Sequence, residues 1–228
     1  MDPQPTAMSI FGFDPAKAAD YENGFYLTSA VPRLAKALAH YELYKRIITL
    51  PGHVVECGVF KGTSMVRWAS YREVLESPHS RRIIGFDTFG AFPETSYADD
   101  KAPRERFIAA AGDTSMSVDD LQQVMARKGI RNVELIAGDI LETVPRYVET
   151  HPAFKIALLH IDTDIYEPAK AALESLWDRI VPGGLLVLDD YGLFPGETKA
   201  VDEFFAGRTP HFQKLPLSHD IPVFVVKA

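Results

Sequence analysis

Cysteine is nearly absent: Cys57 is the single thiol in 228 residues. No internal disulfide can form, so an oxidising compartment is not implied. The sequence also lacks any apolar run near the roughly 18 residues that a membrane span needs. Basic charge is in deficit, with 24 Lys and Arg against 31 Asp and Glu and a formal net charge of −7. A general nucleic-acid or anionic-membrane binder would carry a basic footprint, so neither partner is expected. The balance still allows a compact site for an anionic ligand. The first 20 residues set Asp2, Asp14 and Asp20 against Lys17 and show no basic-then-apolar leader pattern. A soluble, cytoplasmic protein is therefore expected. The G-x-G-x-x-G and Walker signatures are missing too, which counts against dinucleotide and triphosphate binding.

Apolar residues at 46 % and charged residues at 24 % are ordinary for a folded soluble chain. Length and composition suit one domain with a short appended arm. Residues 1–15 hold Pro3, Pro5, Gly12 and Pro15 and read as irregular. Between residues 30 and 50, Leu34, Leu38, Tyr41 and Ile48 recur near helical spacing, and Pro51-Gly52 stops the pattern. Residues 1–50 are thus expected to form an arm and a helical cap, and residues 51–228 the main domain.

From His53 onward, apolar runs at 54–57, 82–86, 133–136, 156–161, 185–188 and 221–226 alternate with helical stretches near 63–76, 118–128, 140–149, 168–180 and 197–206. This rhythm predicts an α/β fold with a mostly parallel central sheet and helices on both faces. Residues 90–117, with Pro93, Pro103 and mixed charges, break the rhythm and read as an inserted lid.

The first strand runs into Glu56-Cys57-Gly58-Val59-Phe60-Lys61-Gly62-Thr63-Ser64. Glycine at 58 lets backbone approach a ligand, and glycine at 62 permits tight entry into a helix whose free amides favour an anionic group. Alone, such a turn is as well explained as a structural link. The second strand, however, ends in Asp87, where a carboxylate can accept from two ribose hydroxyls, and the third ends in Gly138-Asp139. Singly each acid would be a helix cap. In this order they suit an adenosine lying across strand ends.

The fourth strand ends in His160-Ile161-Asp162-Thr163-Asp164 and the fifth in Asp189-Asp190. Buried acids are costly unless paired or bound to a cation. Asp162, Asp189 and Asp190 can converge on one hard divalent ion, for which Mg²⁺ is suited and Mn²⁺ or Ca²⁺ could substitute. Asp164 is expected to cap the helix that follows, His160 to be a hydrogen-bonded strand histidine, and Cys57 to be a small buried residue.

Four segments together resemble the macrocin O-methyltransferase (TylF-type) family: Val54 to Gly62, Phe86 to Glu94, His160 to Pro168, and Pro182-Gly183-Gly184 through Tyr191. The resemblance covers about residues 40–206, with Phe89-Gly90-Ala91 departing from the more usual Phe-Glu-Gly. It implies a Rossmann-like class I methyltransferase fold. It also implies an O-methyltransferase dependent on S-adenosylmethionine and a divalent metal, acting on a sugar or glycoside hydroxyl. On that basis the cofactor residues are Glu56, Gly58, Phe60, Gly62, Thr63, Ser64, Asp87, Thr88, Gly138, Asp139 and Ile140. Asp162 is the general base, and Asp162, Asp189 and Asp190 are the metal ligands. The alternatives are a catechol-type enzyme acting on a vicinal aromatic diol and a non-catalytic S-adenosylmethionine-binding protein. The amphipathic 34–48 stretch and the arm lead to the expectation of a homodimer.

Overall fold

The computed structural model describes residues 9, 11–217 and 221–228. Residues 1–8 and 10 of the expected arm, Pro3 and Pro5 among them, lie outside the described residues. Two helices precede the sheet, α1 (Ala18–Thr28) and α2 (Val31–Lys45). Pro32 lies at the start of α2, where a missing N–H costs nothing. Helix α2 buries Ala39, His40, Leu43 and Tyr44, while α1 buries none of its residues.

Next come β1 (His53–Cys57), α3 (Thr63–Leu75), β2 (Ile83–Asp87), α4 (Lys101–Ala111), α5 (Val118–Arg127) and β3 (Val133–Ala137). They are followed by α6 (Ile140–Thr150), β4 (Ile156–Ile161), α7 (Tyr166–Leu176), β5 (Ile180–Leu188), α8 (Pro195–Phe204), β6 (Gln213–Lys214) and β7 (Val223–Val226). The seven strands form one sheet in the order β3-β2-β1-β4-β5-β7-β6. The first five run parallel, and β7 lies antiparallel between β5 and β6. Strand order reverses between β1 and β4, and ligands of such sheets bind where strand ends part at that reversal.

Alternation along the buried strands sends side chains to two cores. Val55, Cys57, Phe86, Leu159 and Ile161 pack with α6, α7 and α8. Val54, Ile83, Leu158 and Val187 pack with Leu43 of α2, Trp68 of α3 and Leu121 of α5. Cys57 is fully buried, as expected. At the edge of the sheet away from the reversal crevice, Arg72 donates to the carbonyls of Arg81 (2.9 Å) and Asn132 (3.0 Å). Arg81 likewise donates to the carbonyls of Ile47 (3.0 Å) and Gly52 (3.0 Å), so charge at this edge serves the chain's own backbone.

The 90–117 segment is more ordered than a loop, since it contains α4. Pro103 is the third residue of that helix, within the first turn where proline is tolerated, so it marks a helix start rather than a break. An antiparallel bridge between Ala91 and Thr114 closes the base of the segment. Likewise α7 begins at Tyr166, ahead of Pro168.

Candidate active site

The glycine turn is fixed by the end of β4. Gly58 has φ +89°, and a Cβ there would lie 1.8 Å from the carbonyl oxygen of Asp162. Only glycine fits between the two strand ends. Gly62, at φ +76°, leads into α3. Asp87 reaches across from β2 and accepts from the amides of Val59 (2.8 Å) and Phe60 (3.0 Å) with one oxygen. Its other oxygen accepts from the Phe89 amide (2.7 Å). The carboxylate expected at a ribose is thus also the brace that holds the glycine turn. Asp139 is the N-cap of α6, accepting from the Leu141 amide (2.9 Å).

Around this turn is a cavity of about 290 Å³. Of the expected cofactor residues, Gly58, Phe60, Asp87, Thr88, Asp139 and Ile140 line it, together with Asp162. Gly62, Thr63, Ser64, Gly138 and Glu56 are not on its wall. Glu56 lies fully buried on β1 and Ser64 is buried in α3. Three non-glycine residues at the site, Phe60, Phe89 and Asp164, have positive φ of 47°, 49° and 61°. Such strain collects at functional sites, where the surrounding structure holds it in place.

The 90–117 segment supplies Phe92, Pro93, Glu94, Ser96 and Ser115 to the wall. Asp100, fully buried, pins it down: one oxygen accepts from the first amide of α7, Tyr166 (2.9 Å), and the other from Gly196 in α8 (2.7 Å). Amides in a helix's first turn lack partners within the helix, so one carboxylate satisfies two helix starts. Glu167 adds a tie to the Ser96 amide (2.8 Å).

Beside the cavity lies an acidic centre. The backbone ladder continues past the strands, with Asp162 N donating to Cys57 O and Asp189 N to Ile161 O, both at 2.9 Å. Neighbouring strand ends therefore present Asp162, Asp189 and Asp190 together, with one carboxylate oxygen of each within 4.8 Å of the others. Glu197 of α8, also fully buried, accepts from the Asp190 amide (3.1 Å). Burial, then the charge of Asp189, raises the Asp162 carboxyl well above the usual carboxylate range, against Lys36 and His160. Burial, Asp164 and Glu197 do the same to Asp190, whose Oδ2 is buried with no hydrogen-bond partner among the described residues. Asp189 is the exception: burial opposes it, but His160 and Lys36 hold it well below the usual range.

His160 sits opposite Glu56 in the β1–β4 register, with its Nδ1 3.0 Å from Glu56 Oε1 and its Nε2 3.4 Å from Asp189 Oδ1. It is a hydrogen-bonded strand histidine, as expected. Against the effect of burial, these two carboxylates push its imidazole up to about 10. Asp164 departs from expectation. The N-cap of α7 is Ile165, and Asp164 instead turns its left-handed backbone toward the cavity wall near Asp190. There burial raises its carboxyl to about 7.

Two residues unmarked in the sequence reading complete the centre. Lys36 of α2 forms an ion pair with Asp189 Oδ2. One turn on, His40 stacks on Trp68 with ring centroids 4.4 Å apart and meets His160 edge-on at 5.2 Å. Burial lowers the His40 imidazole to about 4. Their four-residue spacing puts both on one helix face, the only mark they leave in the sequence.

This arrangement has close relatives among known proteins. The family model for macrocin-O-methyltransferase (TylF) matches residues 36–215, most of the chain and more than the 40–206 expected. The chain belongs to the TylF family. A TylF-type fold also accounts for the likeness to the crystal structure of the calicheamicin methyltransferase CalS11. That match has a TM-score of 0.76 at 27 % identity over 93 % of this chain and 86 % of that one. The O-methyltransferase NovP shares the fold, with a TM-score of 0.72 at 22 % identity over 85 % and 79 % of the two chains. The Rossmann-like class I methyltransferase architecture is thereby established.

Among curated sequences, a tetracenomycin rhamnosyl 4′-O-methyltransferase of Streptomyces olivaceus is 30 % identical over 63 % of this chain and 54 % of its own length. The demethyldecarbamoylnovobiocin O-methyltransferase of Streptomyces niveus is 28 % identical over 69 % and 59 %. The chain thus spans little more than half the length of these relatives. Among the described residues no helix is long and apolar enough to cross a membrane.

Proposed function

We propose that this TylF-family protein is an S-adenosylmethionine-dependent O-methyltransferase that methylates a hydroxyl of a sugar or glycosylated natural product, with a divalent cation, Mg²⁺, at its acidic centre. The observation that carries this reading is the convergence of Asp162, Asp189 and Asp190 within 4.8 Å beside the cavity that Gly58 and Asp162 share. The names of the relatives, which include a calicheamicin methyltransferase and a rhamnosyl O-methyltransferase, supply the acceptor class.

The residues fit both groups. Gly58 leaves the turn without a side chain at the cavity wall, as close approach of a cofactor requires. Asp190 Oδ2, buried and unpartnered among the described residues, is an oxygen that a hard cation would satisfy. In this reading Gly58, Phe60, Thr88, Asp139 and Ile140 contact the cofactor, with Gly62, Thr63, Ser64 and Gly138 shaping the loops behind them. Asp87 acts at the ribose and through the turn amides, and Glu56 acts through His160. S-adenosylmethionine when bound supplies an activated methyl group. Asp162, Asp189 and Asp190 would hold the cation, which would supply Lewis acidity at the acceptor hydroxyl.

Methyl transfer to oxygen is an in-line displacement, so the chain must align the acceptor oxygen and remove its proton. Asp162 is placed for that step. It lines the cavity and abuts Gly58 through its backbone, within reach of an acceptor held there. Asp189, held ionised by His160 and, without the cation, by Lys36, stays a fixed negative charge beside it. The 90–117 segment, pinned by Asp100, excludes water from above the cavity as a lid.

We infer also that residues 1–50 act as an appended cap and that the chain forms a homodimer through it. Tyr26, Leu27, Val31 and Leu38 of α1 and α2 are exposed at 63 %, 84 %, 76 % and 46 %, an apolar strip that a second copy would cover. Light scattering should give twice the 25.4 kDa chain mass; the single-chain mass would refute the dimer. Methyl transfer from labelled S-adenosylmethionine to a panel of glycosides and catechols, with and without EDTA, tests the whole reading. Glycoside labelling that EDTA abolishes and Mg²⁺ restores is expected. Labelling of catechols alone, or full activity after thorough demetallation, would overturn it.

A further inference from the structure

The acidic centre already contains a cation of its own. Lys36 reaches from α2 to ion-pair with Asp189 Oδ2, while Asp189 Oδ1 faces His160 Nε2 at 3.4 Å and His40 Nε2 at 3.8 Å. Both oxygens of Asp189 therefore have positive or proton-bearing neighbours. Asp190 Oδ2, by contrast, has no partner among the described residues. The Lys36 side chain is 22 % exposed, so part of it already meets solvent. Its helix is anchored elsewhere, by His40 stacked on Trp68 and by buried Leu43 and Tyr44. A lysine stem rotates about four single bonds, so the head can leave while the helix stays.

We propose that Lys36 is a tethered rival of the divalent cation: its ammonium occupies Asp189 when the centre is free of metal and is displaced from Asp189 when metal binds. This rests on reading Asp162, Asp189 and Asp190 as a cation site. An ammonium and a divalent ion drawn to the same carboxylate compete for it, since an ion held by Asp162, Asp189 and Asp190 would lie close to the ammonium at Asp189 Oδ2. In metal-free protein the ammonium offsets part of the charge of three adjoining carboxylates. Lys36 thereby lowers the affinity for metal and ties the N-terminal end of α2 to the state of the centre. The 31–38 half of α2 is then fastened through Asp189 without metal and released with it.

The test uses full-length protein and Mn²⁺, with binding read by electron paramagnetic resonance of the free ion. Lys36→Met keeps an apolar stem of similar length and removes the charge, and it should bind Mn²⁺ at least tenfold more tightly than wild type. Lys36→Arg keeps the charge and should stay within about threefold of wild type. Hydrogen exchange of residues 31–38 should quicken when Mn²⁺ is added to wild type and should not respond in Lys36→Met. A merely structural role would loosen the site, so equal or weaker Mn²⁺ binding by a folded Lys36→Met protein overturns the proposal while leaving the cation site intact. If neither wild type nor Lys36→Met binds Mn²⁺, the cation site itself is refuted and the proposal falls with it.

Discussion

Gly58→Ala isolates the contact on which the site is built. A methyl group at that position would sit 1.8 Å from the Asp162 carbonyl oxygen and 2.6 Å from its carbon, against the roughly 3.5 Å of normal contact. The φ of +89° adds about 1–2 kcal/mol for any residue with a side chain. Overpacking contributes about 1–3 kcal/mol more, since the β1 and β4 ends must part. The sum is about 2–5 kcal/mol, which for a chain of this size lowers Tm by roughly 5–15 °C. Gly129→Ala is the internal control. Its φ is +68°, but an added Cβ there meets nothing within 4 Å. It should lose only the backbone share, about 1–2 kcal/mol. Differential scanning calorimetry reads both variants, and titration with S-adenosylhomocysteine should show weakened binding for Gly58→Ala alone. Equal Tm losses in the two variants would show that the close approach to Asp162 carries no energy, and would refute this account of the turn.

Asp87→Ala removes a carboxylate that accepts three backbone amides, and should cost about 1–3 kcal/mol in both stability and S-adenosylhomocysteine affinity. Unchanged calorimetric affinity in the folded variant would remove Asp87 from the site. Each of the two buried histidines should add its own slope to the pH dependence of stability on either side of pH 6.5, the unperturbed histidine value. Below it the unfolded chain protonates His40 while the native imidazole, lowered to about 4, does not, so the His40 contribution falls between pH 6.5 and 4, against the opposite slope of the raised Asp162, Asp164 and Asp190 carboxyls. Above it the unfolded chain releases the His160 proton that the native state keeps up to about 10, so the His160 contribution is lost through that window. Denaturant titrations across pH check both arms, and a His160→Gln variant retaining the full alkaline slope would contradict the second. Asp100→Ala leaves two helix-start amides unpaired and unpins the 90–117 segment, so proteolysis there should quicken while the Tm drops by only a few degrees; unchanged cleavage of that segment would show that Asp100 does not hold it down.

The order of strands and the acids at their ends were legible because parallel strands buried on both faces write continuous apolar runs, and Asp87, Asp162 and Asp189 directly follow or end such runs. Helix α4 was not, because Pro103 and mixed charges look alike in a loop and in the first turn of an exposed helix. Asp164 was misread as a cap because its backbone turns to positive φ before the helix begins, with its carbonyl accepting from Glu197 N of α8 at 3.3 Å. Lys36, His40 and Glu197 escaped notice for a common reason. Each is an ordinary residue on its own helix, and only the docking of α2 and α8 onto the two faces of the sheet brings them to the strand ends.

Within the centre, charge is arranged so that neighbouring aspartates differ in kind. His160 lies between Glu56 and Asp189 in the buried sheet, and each carboxylate raises its affinity for a proton. The resulting imidazolium, with Lys36 on the far side, holds the Asp189 carboxyl well below the usual range. Neither Asp162 nor Asp190 forms an ion pair or hydrogen bond with these cations, and burial together with the fixed charge of Asp189 raises both, in Asp162 against the more distant Lys36 and His160. A fixed negative charge therefore abuts two proton-responsive ones, and the responsive Asp162 is the one whose backbone meets Gly58 at the cavity. Replacing His160 would leave Glu56 and Asp189 buried without their shared partner, and an uncompensated buried carboxylate costs several kcal/mol. The histidine lines no part of the cavity, yet through Asp189 it sets the charge beside Asp162, the residue proposed as the base.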